Sequence, residues 1–360
     1  MPTVRSSTNH SQRELEVLPQ QTSQEMPETN KIEIGTYGHV ELIDNLQNDL
    51  SVVNAARVSM DVEHEAMMKR DPGLLRYLAR ERHFTPFGHA RHGYECYIPD
   101  VDKMIKWLMN RQPGWTIKYG NNKINKFVIE GSLFNWFGDP HDLPPIRESE
   151  VDLVRGCLID RGCEFTARAF LGDKEFDRVN SKAYLNPVMR DTDWLTFRIK
   201  APVFVLRQWM RSNWEIIYNE VSRRYVSGPP EFYFPHEWRS RPPEDIKQGS
   251  GDLLLTTYST EEINKWIGKH GSFPFAVDLR TSYSDLMQTA GEMYTLMIDS
   301  QVAPEMARMV LPLSMYSEIW MTISPKALER VQGLRSNRGE SNHAQKEIEE
   351  FSRAVESLIA

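Results

Sequence analysis

Apolar residues recur at helical spacing over much of the chain, and short apolar runs interrupt that pattern in three places. The runs predict β-strands at His39–Ile43, Tyr94–Ile98 and Thr196–Ile199. Helical spacing and capping signals predict helices at Asp49–Arg57, Pro72–Arg82, Val101–Met109, Glu150–Phe170, Pro202–Arg211, Glu261–Gly268, Leu279–Ser300, Ala303–Leu311 and Glu347–Ile359. This mixture, in which helices dominate the later part of the chain, predicts the α+β class.

Side chains that can cap a helix mark several of these starts. Asp49 or Ser51 is the expected N-cap of the first helix, and Asp71 is the expected N-cap of the second. Ser259, followed by Glu262 three residues later, predicts the start of the helix that contains Glu261.

The chain also divides by composition. Residues 1–30 are rich in Ser, Thr, Gln, Asn and Glu with little apolar periodicity, which predicts a disordered N-terminal tail. Residues 31–360 then form the predicted folded domain. Within it, residues 99–194 are rich in Trp, Asn, Gly and Asp, and we interpret them as an inserted subdomain.

Charge and cysteine content narrow the class of protein. The formal net charge of −7 argues against a general nucleic-acid binder, which would carry a basic excess. Cys96, Cys157 and Cys163 lack zinc-ligand or redox spacing, and such a sparse set is typical of a reducing compartment. With no apolar run of membrane-spanning length and no signal peptide, we expect a cytoplasmic protein without a membrane partner. We predict no metal site.

The candidate chemistry lies in three arginine-bearing segments. In the first, Arg207 and Arg211 are four residues apart and therefore share one helical face. The polar residues that follow are Asn219, Glu220, Ser222 and Arg224. Arginine grips phosphate with a planar fork and can also donate to a pyrimidine carbonyl. On composition alone, a solvated helix face with ion pairs is the commoner explanation.

The other two segments lie late in the chain. Arg308 interrupts an apolar run, so it needs either an internal carboxylate or an anionic ligand as a partner. Arg335 opens a polar loop that reaches His343 and leads into the last helix. Composition alone favours a solvated loop for this third segment.

Taken in order, these segments resemble the flavin-dependent thymidylate synthase family over most of the chain. The matching stretches are Val40–Asp44, Asn48–Ser51, Ala55–Ser59, His83–His89, Lys200–Arg211, Tyr218–Tyr225, Glu231–Pro235, Glu237–Arg239, Lys247–Ser250, Arg308–Tyr316, Trp320 and Leu334–Ile348. Each stretch alone is a weak signal, whereas their joint order is specific. The absence of a Pro-Cys-His segment also agrees with chemistry in which no cysteine attacks the uracil.

The resemblance implies a thymidylate synthase-like fold, with a central mixed sheet packed by helices, and a specific reaction. Such enzymes transfer a one-carbon unit from methylenetetrahydrofolate to C5 of dUMP, giving dTMP. Reduced FAD supplies the hydride, and NADPH re-reduces the flavin. The family forms a homotetramer whose sites are shared between subunits, so the resemblance implies a homo-oligomer.

Site residues follow from the matched motifs. The resemblance implies that dUMP is held by Gln208, Arg211, Glu220, Ser222, Arg224, Arg308 and Arg335, of which Ser222 and Arg335 are the expected catalytic residues. The positions expected on the flavin side are Ser59, His83, Thr85, Ser212, Asn213, Lys326, Arg330 and His343.

The sequence departs from the family pattern mainly on the flavin side. Ser212 and Asn213 stand where the family has His and Arg, and eight rather than seven residues precede Ser222. Gly88 replaces the usual Glu. Ser324, Lys326 and Arg330 stand where the family commonly has Asn, Arg and Asn.

Three functions therefore stay open at this point. The first is a divergent synthase in which Trp115, Trp136 or Arg155 of the insert supplies replacement flavin contacts. The second is a pyrimidine nucleotide hydroxymethylase that uses the same folate donor without a flavin hydride. The third is a non-catalytic nucleotide-binding paralogue. A yellow preparation favours an enzyme, a colourless active one favours the hydroxymethylase, and a colourless inert one favours the binding protein.

Overall fold

The structure is a computed structural model that describes residues 30–98, 100–109, 114–121, 126–181, 189–242, 250–254, 257–273, 276–336 and 344–360. Its strands are β1 (Lys31–Ile34), β2 (Gly38–Ile43), β3 (Arg91–Tyr97), β4 (Thr116–Asn121), β5 (Lys126–Ser132), β6 (Met189–Arg190), β7 (Leu195–Pro202), β8 (Ile216–Glu220) and β9 (Tyr316–Ile323).

The helices of the first half are α1 (Asp49–Arg57), α2 (Asp71–Arg80), α3 (Thr85–Gly88), α4 (Val101–Met109), α5 (Leu133–Phe137), α6 (Glu148–Leu158), α7 (Glu164–Leu171) and α8 (Asp173–Asn180). Those of the second half are α9 (Val203–Met210), α10 (Thr260–His270), α11 (Leu279–Asp299), α12 (Pro304–Ala307), α13 (Pro325–Arg335) and α14 (Lys346–Ile359).

The central sheet has the strand order β1-β2-β7-β9-β8. Its middle strands bury apolar side chains such as Phe197, Ile199 and Met321, which pack against α9, α13 and α14. This burial supplies the apolar area that stabilises the sheet, at roughly 25 cal/mol per Å² removed from water. The site described below lies at the edge of this helical layer.

The α+β class and the packing of helices on a central sheet are confirmed. The expectation of a mixed sheet was wrong, because each described strand pair of this sheet is antiparallel. The sequence pattern had not indicated β8 or β9, and the directions of those two strands decide the type of sheet.

A second sheet, of order β4-β5-β3-β6, takes three of its strands, β4, β5 and β6, from the predicted insert. It includes β3, which precedes residue 99, and its core also contains Val52 of α1 and Leu75 of α2. Residues on both sides of position 99 therefore share one core. The boundary of an inserted subdomain at 99–194 stays a prediction, and the predicted tail lies outside the described residues apart from Asn30.

Buried polar side chains join the two sheets. His89 is fully buried, with Nδ1 2.7 Å from Thr322 Oγ1 on β9 and Nε2 3.3 Å from Asn219 Oδ1 on β8. Burial lowers the pKa of His89 to about 4, although the contact with Asn219 opposes that shift. His89 is thus a neutral structural link between β3 and the central sheet.

Two predicted N-caps were wrong. Asn48 caps α1, because its Oδ1 accepts from the backbone of Leu50 and Ser51 at 3.0 and 3.4 Å. The Asp49 carboxylate instead accepts from Phe165 N at 2.7 Å and contacts Thr166, which ties α1 to α7.

Asp71 does not cap its helix either. It is the first helical residue of α2, and its fully buried carboxylate forms an ion pair with Arg57. A buried guanidinium needs a counter-charge more than a helix end needs a cap. The predicted Ser259 cap of α10 is confirmed, with Ser259 Oγ accepting from Glu262 N at 3.2 Å.

Candidate active site

Helix α9 carries the first two polar residues of the site. Val205, Leu206 and Trp209 form its buried face, so Arg207 and Gln208 are left on the opposite side. The helix ends at Met210, and Arg211 follows as its C-cap residue. The shared face that the four-residue spacing predicted is therefore present at the end of the helix.

Arg207, Gln208 and Arg211 line a cavity of about 750 Å³. Arg335, the last residue of α13, joins them from a segment more than 120 positions away and donates from Nη2 to the Gln208 carbonyl at 3.2 Å. Gln208 also donates from Nε2 to Gln345 Oε1 at 2.8 Å, which fixes its amide in the cavity wall. The volume suits a small ligand.

Arg211 and Arg335 lie together at this end of the cavity. No described carboxylate lies within ion-pair distance of Arg211 or Arg335. Burial lowers the pKa of Arg335, and the nearby charge of Arg211 lowers it further. Arg335 Nε is buried and has no hydrogen-bond partner among the described residues. This arrangement favours an anionic or carbonyl-bearing ligand.

At the other end of the cavity the charges are neutralised. Arg239 Nη2 donates to Glu347 Oε1 at 2.6 Å, and Tyr233 donates to the same oxygen at 3.2 Å. Burial alone would raise the pKa of Glu347, but the hydrogen bond and charge of Arg239, together with further hydrogen bonds to the carboxylate, outweigh that effect and lower it. Tyr233 and Arg239 lie in stretches that match the family, but the sequence analysis did not assign them to the site. Their contacts with Glu347 join positions more than 100 residues apart, so local spacing could not indicate them.

The remaining predicted nucleotide contacts do not line this cavity. Glu220, at the end of β8, accepts from Ser317 at 2.9 Å. Burial raises the pKa of Glu220, whereas Ser317, Arg207 and Arg308 oppose that shift. Arg308 is exposed in a 3₁₀ turn after α12 rather than buried in a continuous apolar helix.

Ser222 and Arg224 follow β8 in an exposed or half-buried turn. Ser222 N donates to the Ser59 carbonyl at 3.1 Å, and Ser222 Oγ accepts from Arg224 N at 3.3 Å. In the single chain, the seven predicted contacts therefore form two groups. One is the cavity group Gln208, Arg211 and Arg335, and the other comprises Glu220, Ser222, Arg224 and Arg308.

Comparison with known proteins identifies relatives of this chain. A family model described as thymidylate synthase complementing protein matches residues 192–360. The flavin-dependent thymidylate synthase of Aquifex aeolicus is 28% identical over 328 residues, covering 87% of this chain and 94% of that protein. The flavin-dependent thymidylate synthase of Streptomyces coelicolor is 30% identical over 213 residues, covering 55% of this chain and 80% of that protein.

The chain belongs to the flavin-dependent thymidylate synthase family. A solved structure of the UMP/dUMP methylase PolB from Streptomyces cacaoi bound with 5-Br UMP is 21% identical, covering 92% of this chain and 89% of that chain. The two structures superpose with a TM-score of 0.38.

Two of the positions expected on the flavin side of this family member share a second cavity. Thr85 of α3 and Asn213, just after α9, line a space of about 680 Å³ between the central sheet and the insert. Trp115 and Trp194 also line it, and their indole Nε1 atoms are buried without a hydrogen-bond partner in the described part of the chain. Unsatisfied buried donors beside aromatic faces fit a flavin ring.

The other expected flavin-side positions have separate surroundings. Ser59 lies against Ser222, and the Ser212 carbonyl accepts from the Tyr218 hydroxyl at 2.9 Å. His83 is exposed beside the ring of Tyr77, and Lys326 is exposed on α13. His343 lies outside the described residues.

Changed family positions have structural roles here. Arg330 donates from Nη2 to the Trp214 carbonyl at 2.8 Å. Ser324 caps α13 and donates to Glu215 Oε2 at 2.6 Å. A Cβ atom on Gly88 would lie 3.1 Å from Ile217, which leaves little space for the Glu that the family usually has.

The structure separates the three insert residues that had been considered as flavin contacts. Trp115 lines the second cavity. Trp136 is fully buried and donates from Nε1 to the His92 carbonyl at 3.2 Å. Arg155 donates from Nε to the Trp136 carbonyl at 2.7 Å, so both residues belong to the packed interior of the insert. Among the described helices, none has the length and apolar character needed to cross a lipid bilayer.

Proposed function

We propose that this family member transfers a one-carbon unit from methylenetetrahydrofolate to C5 of dUMP, giving dTMP. The observation that carries the proposal is the pair of uncompensated arginines, Arg211 and Arg335, in a cavity of suitable volume. An anionic nucleotide would supply the missing counter-charge, and the Gln208 amide would add a directional contact to it.

Arg335 is the proposed catalytic residue of the cavity group. To react at C5, the pyrimidine ring must become nucleophilic, and negative charge then develops on its carbonyl oxygens. A fixed guanidinium donor stabilises that charge without reorganising at the moment of reaction. The bond from Arg335 Nη2 to the Gln208 carbonyl fixes this guanidinium, whose buried Nε has no partner among the described residues.

The second group of residues, with Ser222 as its catalytic member, is proposed to complete the site from a neighbouring subunit of a homotetramer. Support comes from α11, whose 21 residues include only two buried ones. Leu286, Met293 and Leu296 on this helix are 57%, 46% and 60% exposed. An apolar helix face of this kind is typical of a surface that another protein chain covers.

Thr85 and Asn213 are the residues proposed to hold FAD. When bound in its reduced form, FAD supplies the hydride for the transferred carbon, and NADPH and methylenetetrahydrofolate are the co-substrates. The reaction mixture that tests the proposal contains dUMP, methylenetetrahydrofolate, FAD and NADPH, and the mass of the nucleotide product is measured. A gain of CH₂ supports the synthase.

A hydroxymethylase is the second candidate. It is favoured by the tight contact at Gly88 and by Arg330, whose guanidinium is engaged by the Trp214 carbonyl. This enzyme would give a gain of CH₂O from the same mixture, including when FAD and NADPH are omitted. An unchanged nucleotide with every donor would overturn both enzyme proposals and favour the non-catalytic paralogue.

A further inference from the structure

A chain of side-chain hydrogen bonds runs along one wall of the cavity of about 750 Å³, from Glu347 on α14 to Gln208 on α9. The Glu347 carboxylate accepts from Arg239 Nη2 at 2.6 Å and from the Tyr233 hydroxyl at 3.2 Å. The side chain of Gln345 also hydrogen-bonds this carboxylate. Gln208 Nε2 then donates to Gln345 Oε1 at 2.8 Å, so the chain ends at the Gln208 amide.

The carboxylate gives this chain a fixed direction. Although burial opposes it, the hydrogen bonds from Arg239 and neighbouring groups lower the pKa of Glu347, so the group is ionised and can only accept. Gln345 must therefore turn its Nε2 toward Glu347, because an amide donates only from its nitrogen. Its Oε1 is left for Gln208 Nε2, which agrees with the observed contact.

The free end of the chain is Gln208 Oε1. No described residue donates to this oxygen, and Gln208 is half-buried in the cavity wall. Because Nε2 is turned to Gln345 in the wall, Oε1 is the amide atom left on the cavity side. Donors lie beside it, since Arg335 Nη2 bonds the Gln208 backbone carbonyl at 3.2 Å and Arg211 follows at the end of the same helix. A ligand here meets an acceptor next to a guanidinium donor.

The hydrogen-bonding edge of uracil has the matching pattern. Its N3–H lies between the carbonyl groups at C2 and C4, so either carbonyl that accepts from Arg335 brings N3–H beside that guanidinium. In cytosine the same ring nitrogen carries no hydrogen, and its lone pair would face the lone pairs of Gln208 Oε1. A site that leaves such an acceptor without a donor rejects the wrong ligand strongly.

We propose that Gln208 Oε1 accepts from N3–H of the pyrimidine ring, and that Gln345, held by Glu347, is the positioning residue that fixes the direction of the Gln208 amide. The cavity then selects a uracil nucleotide over a cytosine nucleotide. This inference rests on the proposed function, in which Arg335 contacts a pyrimidine carbonyl. It also gives the neutralised end of the cavity a role, because the groups there keep Glu347 charged and in place.

The test is calorimetric titration of the full-length protein with dUMP, dCMP and N3-methyl-dUMP. The wild type should bind dUMP at least about tenfold more tightly than either analogue, because dCMP lacks the N3 hydrogen and a methyl group replaces it in the other analogue. Gln208→Ala removes the acceptor, so the preference for dUMP over each analogue should fall about tenfold.

Variants of Gln345 test the positioning role. Gln345→Ala frees the Gln208 amide to turn its nitrogen toward the base, so the preference for dUMP over dCMP should fall about fivefold. Gln345→Glu is the matched control, because a carboxylate also accepts from Gln208 Nε2 and should retain the preference. A purely structural role of Gln345 would instead weaken the binding of both nucleotides alike and leave their ratio unchanged.

The outcomes separate this inference from the proposed function. Equal affinity of the wild type for dUMP and N3-methyl-dUMP would overturn the inference and leave the proposed nucleotide site intact. An unchanged ratio of dUMP to dCMP affinity in both alanine variants would overturn it as well. Failure of the wild type to bind any of the three nucleotides would contradict the proposed function itself, and the inference with it.

Discussion

Arginines around the insert and arginines at one end of the main cavity differ in whether they form ion pairs. Around the insert, Arg57 is paired with Asp71, and Arg178 is paired with Asp152 and Glu175. Around the main cavity, Arg211 and Arg335 have no described carboxylate within ion-pair distance, and burial together with the nearby charge of Arg211 lowers the pKa of Arg335. The ion pairs of Arg57 and Arg178 stabilise the fold, whereas Arg211 and Arg335 have no acidic partner among the described residues.

This difference supports the proposal that Arg211 and Arg335 serve a ligand. A fold can satisfy a guanidinium internally, as the fully buried Asp71 carboxylate shows. Where two guanidinium groups instead lie together without a described carboxylate at ion-pair distance, repulsion and desolvation both oppose the arrangement. Binding of an anionic nucleotide, as proposed, would offset that cost.

The largest expected effect comes from a paired arginine. Asp71→Ala leaves Arg57 buried without its counter-charge, so the free energy of unfolding should fall by about 3–5 kcal/mol. The shift of the urea unfolding midpoint measures it. An unchanged midpoint would show that this pair does not stabilise the fold.

Loss of an unpaired arginine should instead affect catalysis. Arg335→Ala removes the proposed donor to the pyrimidine carbonyl, and turnover of dUMP should fall by about 10²–10³-fold or more, while the unfolding midpoint changes little. Arg147→Ala is the control, because this exposed arginine is paired with Glu150 in the insert. Wild-type activity in the Arg335 variant would discredit the site assignment.

The contact between α1 and α7 through Asp49 predicts a pH dependence. Burial raises the pKa of Asp49 from 3.8 to about 6, although the hydrogen bonds from Thr166 and Phe165 act to lower it. Asp49 binds a proton more tightly in the folded state than in the unfolded state, so its protonation stabilises the fold. This stabilisation is complete below pH 3.8 and is lost as the pH rises through about 6. Over that window the loss is up to about 1.4 kcal/mol per pH unit.

Comparing the wild type with Asp49→Asn isolates this contribution. Stability of each is measured by urea unfolding at several pH values across the window. The wild-type curve should fall relative to the variant as the pH rises. Parallel curves would show that Asp49 does not take up a proton on folding.

The smallest effect is expected at the positioning residue Gln345. Gln345→Ala removes the oxygen that fixes the Gln208 amide, so the KM for dUMP should rise about fivefold with little change in kcat. Gln345→Glu keeps an acceptor at that position and should restore part of the KM. A change in kcat without a change in KM would assign Gln345 another role.

Local patterns predicted much of the fold. Val101–Met109 was predicted with both ends correct, and the predicted Leu279–Ser300 helix differs from α11 by one residue. Periodicity succeeds there because a long amphipathic repeat depends on neighbours in sequence. It failed to indicate β8 and β9, whose pairing partners lie about 100 residues away along the chain.

Sequence motifs predicted only part of the site. Gln208, Arg211 and Arg335 were identified from motifs, and the structure brings them to one cavity. Arg239 and Glu347 were not assigned, because their ion pair arises only from tertiary packing. Arg330 was expected to touch flavin, yet its visible contact is the Trp214 carbonyl. Spacing alone does not distinguish a ligand contact from a support for one.

The most direct test of the unpaired-arginine site is calorimetric titration of the wild type and of an Arg211→Ala/Arg335→Ala double variant with dUMP, with deoxyuridine as the uncharged probe. The account predicts that the wild type binds dUMP more tightly than deoxyuridine and that the double variant loses about 10²-fold or more in dUMP affinity. A folded double variant that binds dUMP as tightly as the wild type would contradict it.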